Sequence, residues 1–261
     1  MSREQAVFIR NYKINKLVIL MIQISLIGLF LVLWELLSKY KIINPFIFSS
    51  PTKVVNCIVN LYNTGDLFYH IWVSLYETLI AFAIGVLISF MLSTLLYLFN
   101  KLYKVLDPFL TCLNSLPKVA LGPMIIIIFG ASVKSVIAMA VLINVIVSTL
   151  VITNGFYSTD ETRLKLMKSF KASKLQTLYY LVIPSSYKTI ISSFKLSISM
   201  SMIGVISGEF LVSKAGLGYL IIYGTQVFNL DLVVSGIVLL VIISYILYKF
   251  VEYIENKLIK K

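Results

Sequence analysis

Long uncharged apolar runs alternate along this chain with short connections that hold most of the Lys and Arg residues. Runs at residues 17–34, 78–100 and 135–159 are each close to the roughly 20 residues with which a helix crosses a hydrocarbon core of about 30 Å. A further run, 105–130, is interrupted by Asp107-Pro108, Pro117-Lys118 and Gly122-Pro123. Prolines remove helix hydrogen bonds that lipid cannot replace, so this span is predicted to be broken or kinked and shielded by its neighbours. The run at 189–211 contains Lys195 and Glu209, and the last, 232–248, is uncharged and followed by a Lys-rich tail. The pattern predicts an all-α integral membrane protein with about six transmembrane helices.

Composition agrees. The 261 residues are 59% hydrophobic and 13% charged, with a mean hydropathy of +0.94, more apolar side chain than a soluble core of that size hides. A net charge of +12 raises the question of nucleic acid, but the cations lie between the apolar runs and form no single basic face, so the partner they indicate is the lipid bilayer. Cys57 and Cys112 are far apart and read as packing residues. The first apolar run lacks a small-residue cleavage site and is taken as the first helix, not a signal peptide.

The cations also set orientation, because cytoplasmic flanks carry the excess of Lys and Arg. One side collects Arg3, Arg10, Lys13 and Lys16, then Lys101 and Lys104, then Arg163, Lys165, Lys168, Lys171, Lys174 and Lys188, and finally Lys249, Lys257, Lys260 and Lys261. The other has only Lys39, Lys41, Lys53, Lys134 and Lys214. Both termini are therefore expected in the cytoplasm, with residues 1–16 an N-terminal segment, 17–256 a single transmembrane domain and 257–261 a tail.

Two connections read as ordered. Ser49-Ser50-Pro51-Thr52 opens a helix on the outer side, Ser50 capping and Pro51 at the first position, with Val54, Val55, Ile58, Val59 and Tyr62 as an apolar stripe along the interface. The loop at 160–185 starts from a Ser158 or Thr159 cap and the acids Asp160-Glu161 and ends at Pro184. Leu164, Met167, Phe170, Leu175, Leu178 and Leu181 punctuate its basic positions, including Lys171-Ala172-Ser173-Lys174, so a pair of short amphipathic helices is expected.

Charges inside a span are costly and are functional candidates. Lys195 and Glu209 are fourteen residues apart, roughly 21 Å along one helix, and cannot pair with each other. Lys195 favours snorkelling or inter-helix pairing over solute binding, and Glu209 bracing of the Gly216 to Gly218 turn over lining an exit. Ser192, Ser193, Ser197, Ser199, Ser201, Gly204, Ser207 and Gly208 permit close helix approach or a polar lining. Glu35 and Glu77 read as span boundaries, Asp107-Pro108 as a cap of the third span, and His70, the one histidine, as a packing residue. There is no phosphate-binding Gly-x-x-x-x-Gly-Lys-Ser/Thr loop and no His-Glu-x-x-His, so neither catalytic nor metal nor cofactor-binding residues are expected in this chain.

Over roughly residues 45–236 the sequence resembles the permease subunits of binding-protein-dependent ABC importers, in the nitrate, sulfonate and taurine branch. The resemblance is carried by Ser49-Ser50-Pro51, His70 with Ser74-Leu75, Asp107-Pro108, Pro117-Lys118-Val119-Ala120-Leu121-Gly122-Pro123 and Phe129-Gly130. Lys195, Glu209 and Gly216-Leu217-Gly218-Tyr219-Leu220-Ile221 continue it. The family's cytoplasmic loop carries Glu-Ala-Ala, a later Gly and then Leu-Pro; with Pro184 fixing the register, these fall on Lys165, Leu166 and Met167, on Lys171, and on Ile183-Pro184, with Ala172-Ser173 kept. The acid and the glycine are replaced by lysines.

The resemblance implies a homodimeric bacterial inner-membrane permease. It takes a small solute from an extracytoplasmic binding protein and is driven by two separate cytoplasmic ATPase subunits, so that ATP is used by the partner. It implies ATPase coupling by the loop, at Lys165, Leu166, Met167, Phe170, Lys171, Ala172, Ser173, Leu175 and Pro184, and pathway or gating roles for Pro117, Pro123, Lys195, Glu209, Gly216 and Gly218. The plainer account of the loop is that its cations satisfy the positive-inside rule and hold anionic headgroups. Alternatives for the whole chain are a self-sufficient secondary transporter or channel driven by an ion gradient, which calls for inverted repeats, and a membrane scaffold. The solute, whether nitrate, a sulfonate, taurine or a vitamin precursor, is not encoded in these motifs.

Overall fold

The computed structural model describes residues 3–259, and its regular structure there is entirely helical; Met1, Ser2, Lys260 and Lys261 lie outside the described residues. In chain order the helices are α1 (Arg3–Lys39), α2 (Pro45–Phe48), α3 (Pro51–Thr64), α4 (Asp66–Leu98) and α5 (Asn100–Ser115). A 3-10 turn at Lys118–Leu121 leads to α6 (Gly122–Phe129), α7 (Val133–Tyr157), α8 (Glu161–Ser169) and α9 (Lys174–Thr177). A π turn at Leu178–Val182 leads to α10 (Ile183–Ser185), α11 (Tyr187–Val212), α12 (Leu217–Gln226) and α13 (Leu230–Ile259). Five stretches are long and apolar enough to cross a membrane, or six if the bent pair of α5 and the 118–129 segment counts as one.

The proline-rich third span is broken, with its halves at 99°. Its break falls at Leu116 and Pro117, where the chain is extended, while Pro123 sits in the first turn of α6, a position at which a missing N–H costs nothing. Pro108 does not cap this span as expected; it lies inside α5.

The second span departs furthest from expectation. Gly65, at φ +83°, ends α3 in the left-handed conformation and at once begins α4, so the helix starts at Asp66, twelve residues before the uncharged run. Glu77 is therefore no boundary residue: it is 0% exposed in the interior of α4. Glu35 does lie near the end of α1, where it accepts the N–H of Thr52 at 3.0 Å and so serves the first turn of α3. Ser50 caps α3 and Pro51 follows, but the apolar stripe divides: Val54 and Ile58 turn inward, Val55, Val59 and Tyr62 outward.

α4, α7 and α11 form the centre, with α12 and α13 packed on α11 and with α1 at the edge, against α2 and α3. The packing is close because the facing residues are small. A Cβ at Gly204 would run into the backbone of Ala140, one at Gly208 would press on Val136, and one at Gly85 would meet the side chain of Asn144. Hydroxyls and amides fill the seam: Asn144 Nδ2 donates to Ser201 Oγ (2.9 Å), and Ser148 Oγ lies 2.7 Å from Asn144 Oδ1 and 2.6 Å from Ser197 Oγ. The serines of α11 thus separate, with Ser193, Ser197 and Ser201 buried against α7 and Ser199 and Ser207 facing a groove beside α13.

Candidate functional site

The residues singled out by sequence do not converge; they fall at two ends of the bundle and at the break between. At one end, Gly216 (φ +110°) starts α12 in a conformation L side chains rarely adopt. The exposed amides of that helix start are met by side chains from two other helices. Gly216 N–H donates to His70 Nδ1 at 3.0 Å, Leu217 N–H to Ser74 Oγ at 2.8 Å, and Gly218 N–H to Glu209 Oε2. Ser74 O–H in turn donates a hydrogen bond to Glu209 Oε1. Three side chains and three consecutive backbone amides, brought together from distant parts of the sequence, thereby hold this turn, with a carboxylate at a helix N-terminus. Glu77 lies beside Glu209, its two oxygens in no hydrogen bond of regular geometry. His70 also stacks on Tyr219 at 5.7 Å between ring centres.

At the opposite end of α11, Lys195 forms an ion pair with Glu255 (2.6 Å) and a longer one with Glu252 (3.7 Å), and its ammonium stands over the Tyr248 ring. Ser192 Oγ donates to the other carboxylate oxygen of Glu255, Oε1, 2.8 Å away, and Lys249 holds Glu252 at 2.6 Å. Glu252 and Glu255 sit in the C-terminal part of α13, beyond the last uncharged run, and nothing in the sequence pattern links them to Lys195.

The 160–185 loop is ordered by its own caps. Asp160, and not Ser158 or Thr159, is the N-cap of α8, accepting the N–H of Arg163 at 2.9 Å. Ser158 and Thr159 turn their hydroxyls back to carbonyls of α7. α8 ends with Lys171 at φ +55°; Lys171 N–H bonds Lys168 O (2.9 Å) and Ala172 N–H bonds Met167 O (3.1 Å), the paired pattern that usually puts glycine at this position. Ser173 then opens α9 through a reciprocal capping box with Gln176. Pro184, lacking an N–H, falls just after the wide π turn, within a nearly continuous helical run and not at its end.

This loop has two faces. Leu178 and Val182 are buried against Ile152 and Phe156 of α7 and Ile190 of α11. Leu166, Phe170 and Leu175 stand out, Phe170 at 72% exposure, joined by Tyr179 and Tyr180, which sequence reasoning passed over. Met167 is half-buried, and Ala172 lines a cavity between the loop and the bundle, facing away from the outward ridge. Lys165 is exposed and pairs with Glu161 at 3.9 Å. Pro117 and Pro123 flank the bent segment, where Gly122 lies against Leu211 and Met139. Among the described residues no three His, Cys, Asp or Glu side chains gather to hold a metal.

Residues 81–260 match the family described as the binding-protein-dependent transport system inner membrane component. A probable ABC transporter permease protein of Haemophilus influenzae is 28% identical over 235 residues, covering 90% of this chain and 95% of that one. The formylaminopyrimidine transport permease protein of Halalkalibacterium halodurans is 28% identical over 72% of this chain and 75% of its own length. The taurine transport system permease protein of Escherichia coli is 22% identical over 87% and 84%. Among solved structures, an inward-facing form of the MetNI methionine ABC transporter superposes with a TM-score of 0.62 at 17% identity, over 72% of this chain and 92% of the other, a likeness of fold.

Proposed function

Because the chain belongs to the family of binding-protein-dependent transport system inner membrane components, we propose that its 160–185 loop is the element through which a separate ATPase moves the membrane helices. The chain is the multi-pass permease subunit of an ABC importer, a partner of ATPase subunits and of a solute-binding protein. One observation carries the coupling role: the loop shows an apolar ridge of Leu166, Phe170 and Leu175 outward while Leu178 and Val182 lock it to α7 and α11. A ridge that fits an ATPase groove and is packed rigidly on the central helices turns ATPase closure into helix tilt.

In this reading both termini and the loop lie on the cytoplasmic side, the chain works as a homodimer, and ATP is bound and hydrolysed by the partner, not by this chain. The break at Pro117 and Pro123 and the tie of Glu209 to Gly216 and Gly218 are the places where the pathway opens and closes. The solute is small and is chosen by the binding protein that delivers it.

The test uses the full chain expressed with its ATPase. Leu166→Glu and Phe170→Glu should each lower ATPase co-purification and ATP-driven uptake about tenfold or more, since each puts a charge at the centre of an apolar contact. Unchanged co-purification and uptake in both variants would remove the coupling role. Uptake that persists with no ATPase present would remove the importer reading and leave the ion-driven carrier.

A further inference from the structure

We propose that the cavity between the loop and the ends of α4 and α7 holds the phosphate headgroup of an anionic membrane lipid. The inference rests on the proposed placement of this loop at the cytoplasmic membrane surface. The cavity has a volume of about 390 Å³, and Lys168, Lys174, Asn100, Tyr157, Phe156 and Ala172 are among its walls. No carboxylate lines it, and among the described residues neither lysine has an acidic partner within 4.0 Å. Lys174 gives one proton to the carbonyl of Leu98 at 3.2 Å, which holds its ammonium at the end of α4 with two protons to spare. Tyr157 spends its hydroxyl proton on Asn100 Oδ1 at 2.8 Å, leaving the Asn100 NH₂ group to donate. Two cations and an amide donor around an uncharged space are the chemistry of an oxyanion site.

Its position favours a lipid over a dissolved phosphate. It opens where the spans end, at the level of Tyr97, Tyr103 and Tyr157, with the last two rings stacked 4.4 Å apart, as in the aromatic belt at a membrane interface. The corner of α4 and α5 carries an open apolar groove of about 540 Å³ lined by Leu95, Phe99, Leu102 and Val105, with Lys101 at its edge, a surface of the kind that lipid covers. Basic pockets of this kind between helices on the cytoplasmic side suit acidic headgroups. The lipid would fill the space behind the coupling ridge and stiffen the loop against the bundle.

The full chain, purified without its ATPase, is placed in bilayer discs of phosphatidylglycerol and phosphatidylcholine, and the lipids retained on extraction are counted by native mass spectrometry. Phosphatidylglycerol should be retained preferentially, and Lys168→Gln and Lys174→Gln should each lower that preference about fivefold, from roughly 1 kcal/mol per surface cation. Ala172→Phe, which fills the cavity and changes no charge, should abolish it, while Lys257→Gln should leave it intact. Equal retention of both lipids by the parent chain, or unaltered preference in all three cavity variants, overturns the proposal. So does displacement of the bound lipid by dissolved glycerol 3-phosphate at matching concentration, which would make the site one for a soluble anion. Since binding is read without the ATPase, a failure here leaves the coupling role standing, and a failure of coupling leaves this site standing.

Discussion

Glu209 near the end of α11 accepts the backbone N–H of Gly218 in the first turn of α12, across a bend whose Gly216 leaves no room for a Cβ beside the same carboxyl group. The pair fixes how α12 leaves α11. Glu209→Ala orphans the Gly218 amide and the Ser74 hydroxyl and is expected to cost about 2–3 kcal/mol, as for hydrogen bonds to a charged acceptor. Glu209→Gln keeps one acceptor and should cost less. Thermal denaturation of the full chain in detergent orders the three proteins, and equal midpoints for parent and Glu209→Ala would refute the role.

Lys171 holds a left-handed backbone at φ +55° where a glycine is at ease. Lys171→Gly should relieve about 1 kcal/mol of that strain, and Lys171→Val should add to it. Hydrogen exchange at the amides of residues 170–173 reads the difference directly: slower in the glycine variant, faster in the valine variant. The reverse order would mean that the bend is set by something other than local conformation.

The Lys195–Glu255 pair gives a prediction about company and not about either residue alone. Lys195→Met leaves Glu255, only 7% exposed, without its cation, whereas Lys195→Met combined with Glu255→Gln leaves no unpaired charge. The double variant should be the more stable of the two. If the single change is as well tolerated as the double, the ion pair has no part in holding α11 to α13.

At Gly204 the backbone of α11 meets that of α7, so Gly204→Leu must push the helices apart, while Ser207→Leu, one turn on and half-buried, extends into the open groove beside α13. Yields of folded protein should fall sharply for the first and little for the second. Comparable yields would show that the α7–α11 seam yields more readily than its packing indicates.

Much of this fold is legible because lipid demands long apolar helices, and the proline cluster at 117–123 announced a break that the structure places at 99°. The start of α4 was hidden by the rule that served elsewhere. Charge was read as a boundary, yet Glu77 is buried, since this helix is largely turned inside out: Ser74, Glu77, Thr78, Ala81, Gly85, Ser89 and Ser93 face the bundle, while Phe68, Trp72, Leu79, Leu87 and Met91 face outward. A stripe of small and polar residues three or four apart was the available signal, and it continues the helix upstream through His70. Asn144 was missed because one amide in an apolar run gives no period, although it joins two buried serines, Ser148 and Ser201, and packs on Gly85. The partners of Lys195 were unreadable for a plainer reason: Glu252 and Glu255 meet it only through the packing of α13 on α11, at a separation of some sixty residues.

The inside-out seam of α4, α7 and α11 has a thermodynamic consequence. Helices that part within a bilayer expose their facing surfaces to hydrocarbon and not to water, so no apolar hydration accompanies the step. The large heat-capacity increment that marks the opening of a water-soluble core is then missing, and the free energy of this seam varies almost linearly with temperature. Its cohesion should therefore persist on cooling, where a core held by water would weaken.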